Sequence, residues 1–150
     1  MSTQKTIEVK SEQETRALGE KLGRLLKGGE VIELVGDVGA GKTTFVKGIA
    51  VGLAIDEDVQ SPSFTISRVY HARDALQLAH YDFYRLNDAG IMADELTETT
   101  QDPESITVIE WADIVEGILP ARRVRITFAA PSELSRVLTI DGNNEVLENL

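Results

Sequence analysis

The chain has no cysteine, which excludes a disulfide framework, a thiolate metal site and a cysteine nucleophile. It is also short of basic residues: 15 Lys and Arg stand against 25 Asp and Glu, a formal net charge of −10. A field of that sign repels polyanions, so strong direct nucleic-acid binding is disfavoured. A single phosphate group is different, because a few aimed backbone N–H groups and one lysine can hold it locally on an acidic protein. Long apolar runs are missing too. No stretch approaches the length of a membrane span, and the opening MSTQKTIEVKSEQE lacks the apolar segment of a secretory leader. The expectation is a cytoplasmic protein with no membrane partner.

What is present is ordinary globular usage, 42% hydrophobic and 27% charged over 150 residues. A chain of this size can gather around one core, so residues 1–150 are read as a single domain. Thr6 to Val9 alternate as a short strand, and Ser11 with Glu14 forms a capping box that opens a helix through Leu18, Leu22, Leu25 and Leu26. Gly28 and Gly29 stop it. Glu30 to Val35 is a β-branched run feeding into glycines, after which Phe45, Ile49 and Leu53 recur at helical spacing. Phe64 to Tyr70 and Leu76 to Tyr84 alternate around a turn at His71 to Asp74, which predicts an antiparallel hairpin. Asn87 to Glu104 is acidic and reads as a short helix plus loop. Ile106 to Ile109 is a buried strand, Ile114 to Leu119 a helical turn ended by Pro120, and two strands follow around Ile126 and Leu138. The fold class is α/β: a mixed sheet around a phosphate-loop strand, with flanking helices and the hairpin.

Gly36-Asp37-Val38-Gly39-Ala40-Gly41-Lys42-Thr43 satisfies G-x-x-x-x-G-K-[ST] between a strand and a helix, as that motif requires. The glycines allow a tight loop whose N–H groups point inward at a β-phosphate, and the helix adds its positive end. In this pattern Lys42 reaches the β and γ oxygens, and Thr43 offers a hydroxyl to magnesium, a hard cation that takes few protein oxygens. Thr44 continues the cradle. A turn without nucleotide is the alternative. The loop also needs an acid at the end of a neighbouring apolar strand, and Glu110 closes Ile106-Thr107-Val108-Ile109. Asp82 is a second candidate, sharing a strand face with His80; it could instead be a solvated edge aspartate. His80 is read as supporting, Trp111 as a core or interface anchor. Ser61-Pro62-Ser63 could be a switch segment or only a turn. Arg68, Arg85, Arg122, Arg123 and Arg125 are candidates for sensing a γ-phosphate.

Several ordered stretches coincide: GDVGAGKTTF (Gly36 to Phe45), SPSFTI (Ser61 to Ile66), HYDFYRL (His80 to Leu86), VIEW (Val108 to Trp111) and GILP (Gly117 to Pro120). Together they resemble the TsaE family, bacterial P-loop ATPases of tRNA threonylcarbamoyladenosine biosynthesis, over Ser11 to about Ile140. The resemblance implies an ATPase, weak alone and stimulated by partners. It would use ATP and magnesium and act on a TsaB–TsaD assembly that transfers threonylcarbamoyl to the adenosine beside the anticodon. It also implies that Gly36 to Thr43 form the phosphate loop, that Thr43 and Glu110 hold the magnesium, and that Asp82 is the acid of H-x-D-x-Y-R. Glu12 would lie near the nucleotide, although a partner for the helix dipole is its other reading. Preference for ATP over GTP follows from the resemblance alone. One departure is Ser63, where the family usually has threonine.

Two other function classes fit the loop. A small-molecule kinase would need a basic lid, yet residues 87 to 105 contain no lysine or arginine. A nucleotide-gated binding module would share every residue with the ATPase and differ only in turnover. Arg122, Arg123 and Arg125 form the best basic cluster for RNA, but no aromatic interleaving accompanies them.

Overall fold

The computed structural model describes residues 3–37, 39–62, 66–84, 86–88, 90–142 and 148–150. Val38, Ser63, Phe64 and Arg85, which carry part of the expectations above, lie outside the described residues.

The strands assemble into one seven-stranded sheet. In chain order they are β1 (Thr3–Val9), β2 (Val31–Val35), β3 (Ser67–His71), β4 (Gln77–Asp82), β5 (Ser105–Glu110), β6 (Val124–Ala129) and β7 (Arg136–Gly142). Across the sheet the order is β1-β7-β6-β2-β5-β4-β3. β6, β2, β5 and β4 run parallel, and antiparallel β1, β7 and β3 complete the two edges. β5 is buried along its whole length and β2 nearly so, as parallel strands covered on both faces must be. The helices are α1 (Glu12–Leu25), α2 (Lys42–Gly52) and α3 (Met92–Gln101), with a 3₁₀ segment at Ala112–Ile118.

The predicted elements are found with their edges shifted by a residue or more. The capping box forms with a change of partner: Ser11 Oγ accepts from the Glu14 N–H at 3.1 Å, but Glu14 Oε2 accepts from Lys10 N–H at 2.6 Å rather than from Ser11. The hairpin turn is a 3₁₀ turn at Arg73–Ala75 with Asp74 left-handed, and it has a second duty. One Arg73 guanidinium nitrogen donates to the carbonyls of Gly23, Arg24 and Leu26, so the turn satisfies the otherwise open C-terminal end of α1.

One sheet face carries Ile32, Leu34, Leu78, Ile106, Val108 and Ile126 against α1 and α2; the other carries Val31, Ala79, Tyr81 and Ile109 against α3 and the 3₁₀ segment. α1 and α2 meet backbone to backbone. A Cβ added at Gly19 would fall on the Phe45 carbonyl oxygen, at Gly23 on that of Ile49, at Gly48 on that of Arg16 and at Gly52 on that of Glu20. The contacts advance together along both helices, so the two run parallel. Their N-termini consequently open on the same side of the sheet.

Candidate functional site

That side is where β2, β5 and β4 end. Register aligns Leu34 with Glu110 and Glu110 with Asp82, so the turn after β2 and both acids form one rim. The loop after β2 demands glycine. Gly36, Gly39 and Gly41 have φ of 155°, 85° and 102°, and a Cβ at Gly36 would press on Phe128 at 3.1 Å. A cavity of about 580 Å³ opens over this loop. Lys42, Thr43 and Thr44 line it from the start of α2, Glu12 and Thr15 from the start of α1, and Asp82 and Glu110 from the strand ends. Two parallel helices therefore aim their N-terminal ends at one cavity, a favourable setting for an anion.

Lys42 is the central cation and it is 5% exposed. Its Nζ donates to the Gly36 carbonyl at 2.5 Å, lies 4.0 Å from Glu110 Oε1 and stands 4.2 Å from the centre of the Trp111 ring. Burial pulls its pKa down, Glu110, Asp82 and Asp37 pull it back up, and the net is below the ordinary lysine value. The surrounding acids do not fully compensate the buried charge.

Glu110 is 3% and Asp82 5% exposed. Asp82 is thus not a solvated edge residue: β4 is flanked by β3 and β5, and Asp82 accepts from Tyr84 N–H at 2.9 Å and from Ser61 Oγ at 3.3 Å. It anchors the start of the Ser61-Pro62 segment as well as lining the cavity. Glu110 Oε2 is held at 2.6 Å by His80 Nε2. Among the described residues, no three His, Cys, Asp or Glu side chains converge into a metal cage. The oxygen-bearing side chains that line the cavity, Thr43, Thr44, Glu110 and Asp82, offer hard donors. They suit magnesium, which keeps several waters and shares phosphate oxygens.

A family model described as "Threonylcarbamoyl adenosine biosynthesis protein TsaE" matches residues 9–138. The chain belongs to the TsaE family. It is 42% identical over 137 residues to the tRNA threonylcarbamoyladenosine biosynthesis protein TsaE of Treponema pallidum, covering 91% of this chain and 94% of that one. It is 37% identical to the Bacillus subtilis protein of the same name, over 85% and 78% of the two chains. The fold is similar to the crystal structure of Bacillus subtilis YdiB, with a TM-score of 0.78 at 34% identity, covering 99% of this chain and 91% of the other. The stretches that suggested TsaE are thus part of a likeness running through almost the whole chain.

Of the residues read from the sequence, Glu12, Gly39, Gly41, Lys42, Thr43, Thr44, Asp82 and Glu110 line this cavity, and Gly36 and Ala40 shape the loop beneath it. The arginine expectations fare differently. Neither Arg68, Arg122, Arg123 nor Arg125 lines it; Arg123 and Arg125 bond instead to Glu33 within the opposite face, at 2.9 and 3.5 Å. Among the described residues, the arginine that lines the cavity is Arg136, which no motif marked. It reaches the loop because β7 enters beside β6, itself next to β2, so the turn before Arg136 ends at the rim; one guanidinium nitrogen lies 3.4 Å from the Gly39 carbonyl. Trp111 is more than an anchor. With a left-handed φ of 56° it turns its ring over Lys42, with Tyr84 4.7 Å away. Thr15 was missed too, since its place depends on the close approach of α1 and α2. Among the described residues, no helix is long and apolar enough to cross a membrane.

Proposed function

We propose that this TsaE-family chain binds ATP and magnesium in the cavity over Gly36 to Thr44, and hydrolyses ATP to drive threonylcarbamoyl modification of the tRNA adenosine next to the anticodon. It would do so by acting on a complex of TsaD and TsaB. The observation that carries the reading is the meeting of a buried lysine, two helix N-termini and two strand-end carboxylates around one cavity. Its place in threonylcarbamoyladenosine biosynthesis is supported by family membership.

In this reading the loop N–H groups and Lys42 bind and orient the phosphates, while Thr43 and Glu110 hold the magnesium. A magnesium ion held there would supply charge neutralisation to the phosphates. Asp82, on the strand beside Glu110, orients water. Trp111 excludes bulk solvent from one side of the Lys42 amine. The arrangement makes electrostatic positioning the main contribution, as phosphoryl transfer demands. A small-molecule kinase is the weaker reading, because α3 carries four acids or amides and no cation to neutralise a migrating phosphoryl group.

The experiment is product analysis on purified protein with ATP and magnesium, with and without TsaB and TsaD. Free phosphate that rises with the partners is expected. A phosphorylated metabolite would replace this reading by the kinase, and bound but unhydrolysed ATP by a nucleotide-gated module.

A further inference from the structure

One buried polar side chain beside this cavity is not part of its lining: His80. Its ring is 0% exposed. It stands on β4 opposite Val108 of β5, on the sheet face that carries Leu78, Ile106 and Val108 and, towards the strand ends, Asp82 and Glu110. An apolar residue would fill that space without the cost of burying an imidazole. Among the described residues the ring makes one polar contact, 2.6 Å from Nε2 to Glu110 Oε2. A carboxylate oxygen accepts, so the bridging proton belongs to Nε2. Nδ1 is buried and meets no hydrogen-bond partner among the described residues.

The two oxygens of Glu110 are thereby distinguished. Oε2 is held from within the sheet by His80, whereas Oε1 faces the phosphate loop, 4.0 Å from Lys42 Nζ. The terminal torsion of a glutamate is broad and confines the carboxylate plane weakly. Without a donor at Oε2 the group would rotate, and Lys42 would compete for both oxygens. Outer partners that fix the orientation of a ligating carboxylate govern how well it meets a metal.

We infer that His80 is a positioning residue: by donating from Nε2 to Oε2 it locks the Glu110 carboxylate with Oε1 directed at the magnesium–nucleotide. This inference rests on the ATP and magnesium reading above. Its test separates the two.

Three variants are compared by ATP titration with and without magnesium, alongside phosphate release with partners. His80→Gln places an amide N–H near the position of Nε2, His80→Asn places one near Nδ1, and His80→Leu has none. The magnesium-dependent gain in ATP affinity, and the turnover, are expected to fall about tenfold or more in His80→Asn and His80→Leu and to be largely restored in His80→Gln, with metal-free affinity changed less than about twofold in all three. Should thermal melting show that His80→Leu does not fold, the contrast between Gln and Asn decides alone. Wild-type magnesium gain in His80→Asn would overturn the inference. So would equal losses in Gln and Asn accompanied by loss of metal-free affinity, the signature of packing alone. If the wild-type protein fails to bind ATP, the functional reading falls instead.

Discussion

Two glutamates on neighbouring parallel strands, Glu33 of β2 and Glu110 of β5, are almost equally buried, at 2% and 3% exposure. Their surroundings differ in kind. Glu33, on the face that carries α3, meets two guanidinium groups: Arg123 at 2.9 Å and Arg125 at 3.5 Å. Arg123 bonds to Glu116 as well. Burial lowers the Arg123 pKa, and the hydrogen bonds and charges of Glu33 and Glu116 more than offset this, leaving it above the ordinary arginine value. Glu110 has a histidine donor and one ammonium 4.0 Å away, whose own pKa is lowered. The Glu33 carboxylate thus has a guanidinium on each of its oxygens. Glu110 has one oxygen on His80 and the other 4.0 Å from Lys42, and in the proposed function it is this second oxygen that meets a cation. Burial alone therefore does not distinguish the two acids; their partners do.

The contrast breaks most visibly in turnover. Glu110→Gln keeps the shape and the contact with His80 but removes charge and basicity, so partner-stimulated phosphate release should fall about 100- to 10,000-fold, with ATP still bound. Wild-type turnover in this variant, measured by phosphate release, would move the role to Asp82. Lys42→Ala removes the cation common to loop and acid; its ATP affinity should fall about hundredfold or more by calorimetric titration while the circular dichroism spectrum stays unchanged. Glu33→Gln should show the reverse profile. It leaves Arg123 with a weaker partner, at a cost of about 1–3 kcal/mol in a denaturant titration, and leaves ATP affinity unaltered. Unchanged stability together with weakened nucleotide binding would erase the distinction between the two acids. The smallest effect expected is on RNA. With Arg123 and Arg125 engaged by Glu33, and a net charge of −10, the isolated protein should bind tRNA weakly. Anisotropy titrations at low and physiological salt should not distinguish wild type from Arg122→Ala, and micromolar binding abolished by that change would contradict this.

How far the sequence could foresee this site depends on the range of the interactions that build it. Gly36 to Thr43 is legible because its geometry is local: glycines with positive φ and a helix start within eight residues. Glu110 is legible because a charge closing an apolar run needs a physical reason. The hairpin and the order of elements follow from alternation and turn chemistry. Sheet order does not. Arg136 reaches the cavity only because β7 lies beside β6, and Glu33 finds Arg123 ninety positions away, so the sequence displays an arginine cluster without the partner that occupies it. Thr15 is brought in by the α1–α2 contact, where glycines on both helices permit approach to backbone distance. Trp111 was readable as an anchor, and it does pack against the Tyr81–Ile109 cluster, but its place over Lys42 was not, since that depends on its left-handed backbone.

The central claim is that Glu110, and not its equally buried neighbour, couples magnesium to the nucleotide. Its most direct test is calorimetric titration of ATP, in magnesium and in EDTA, into wild type, Glu110→Gln and Glu33→Gln. Magnesium should strengthen ATP binding to wild type and to Glu33→Gln to the same degree, and Glu110→Gln should lose most of that gain. An equal magnesium gain in all three proteins would contradict the account.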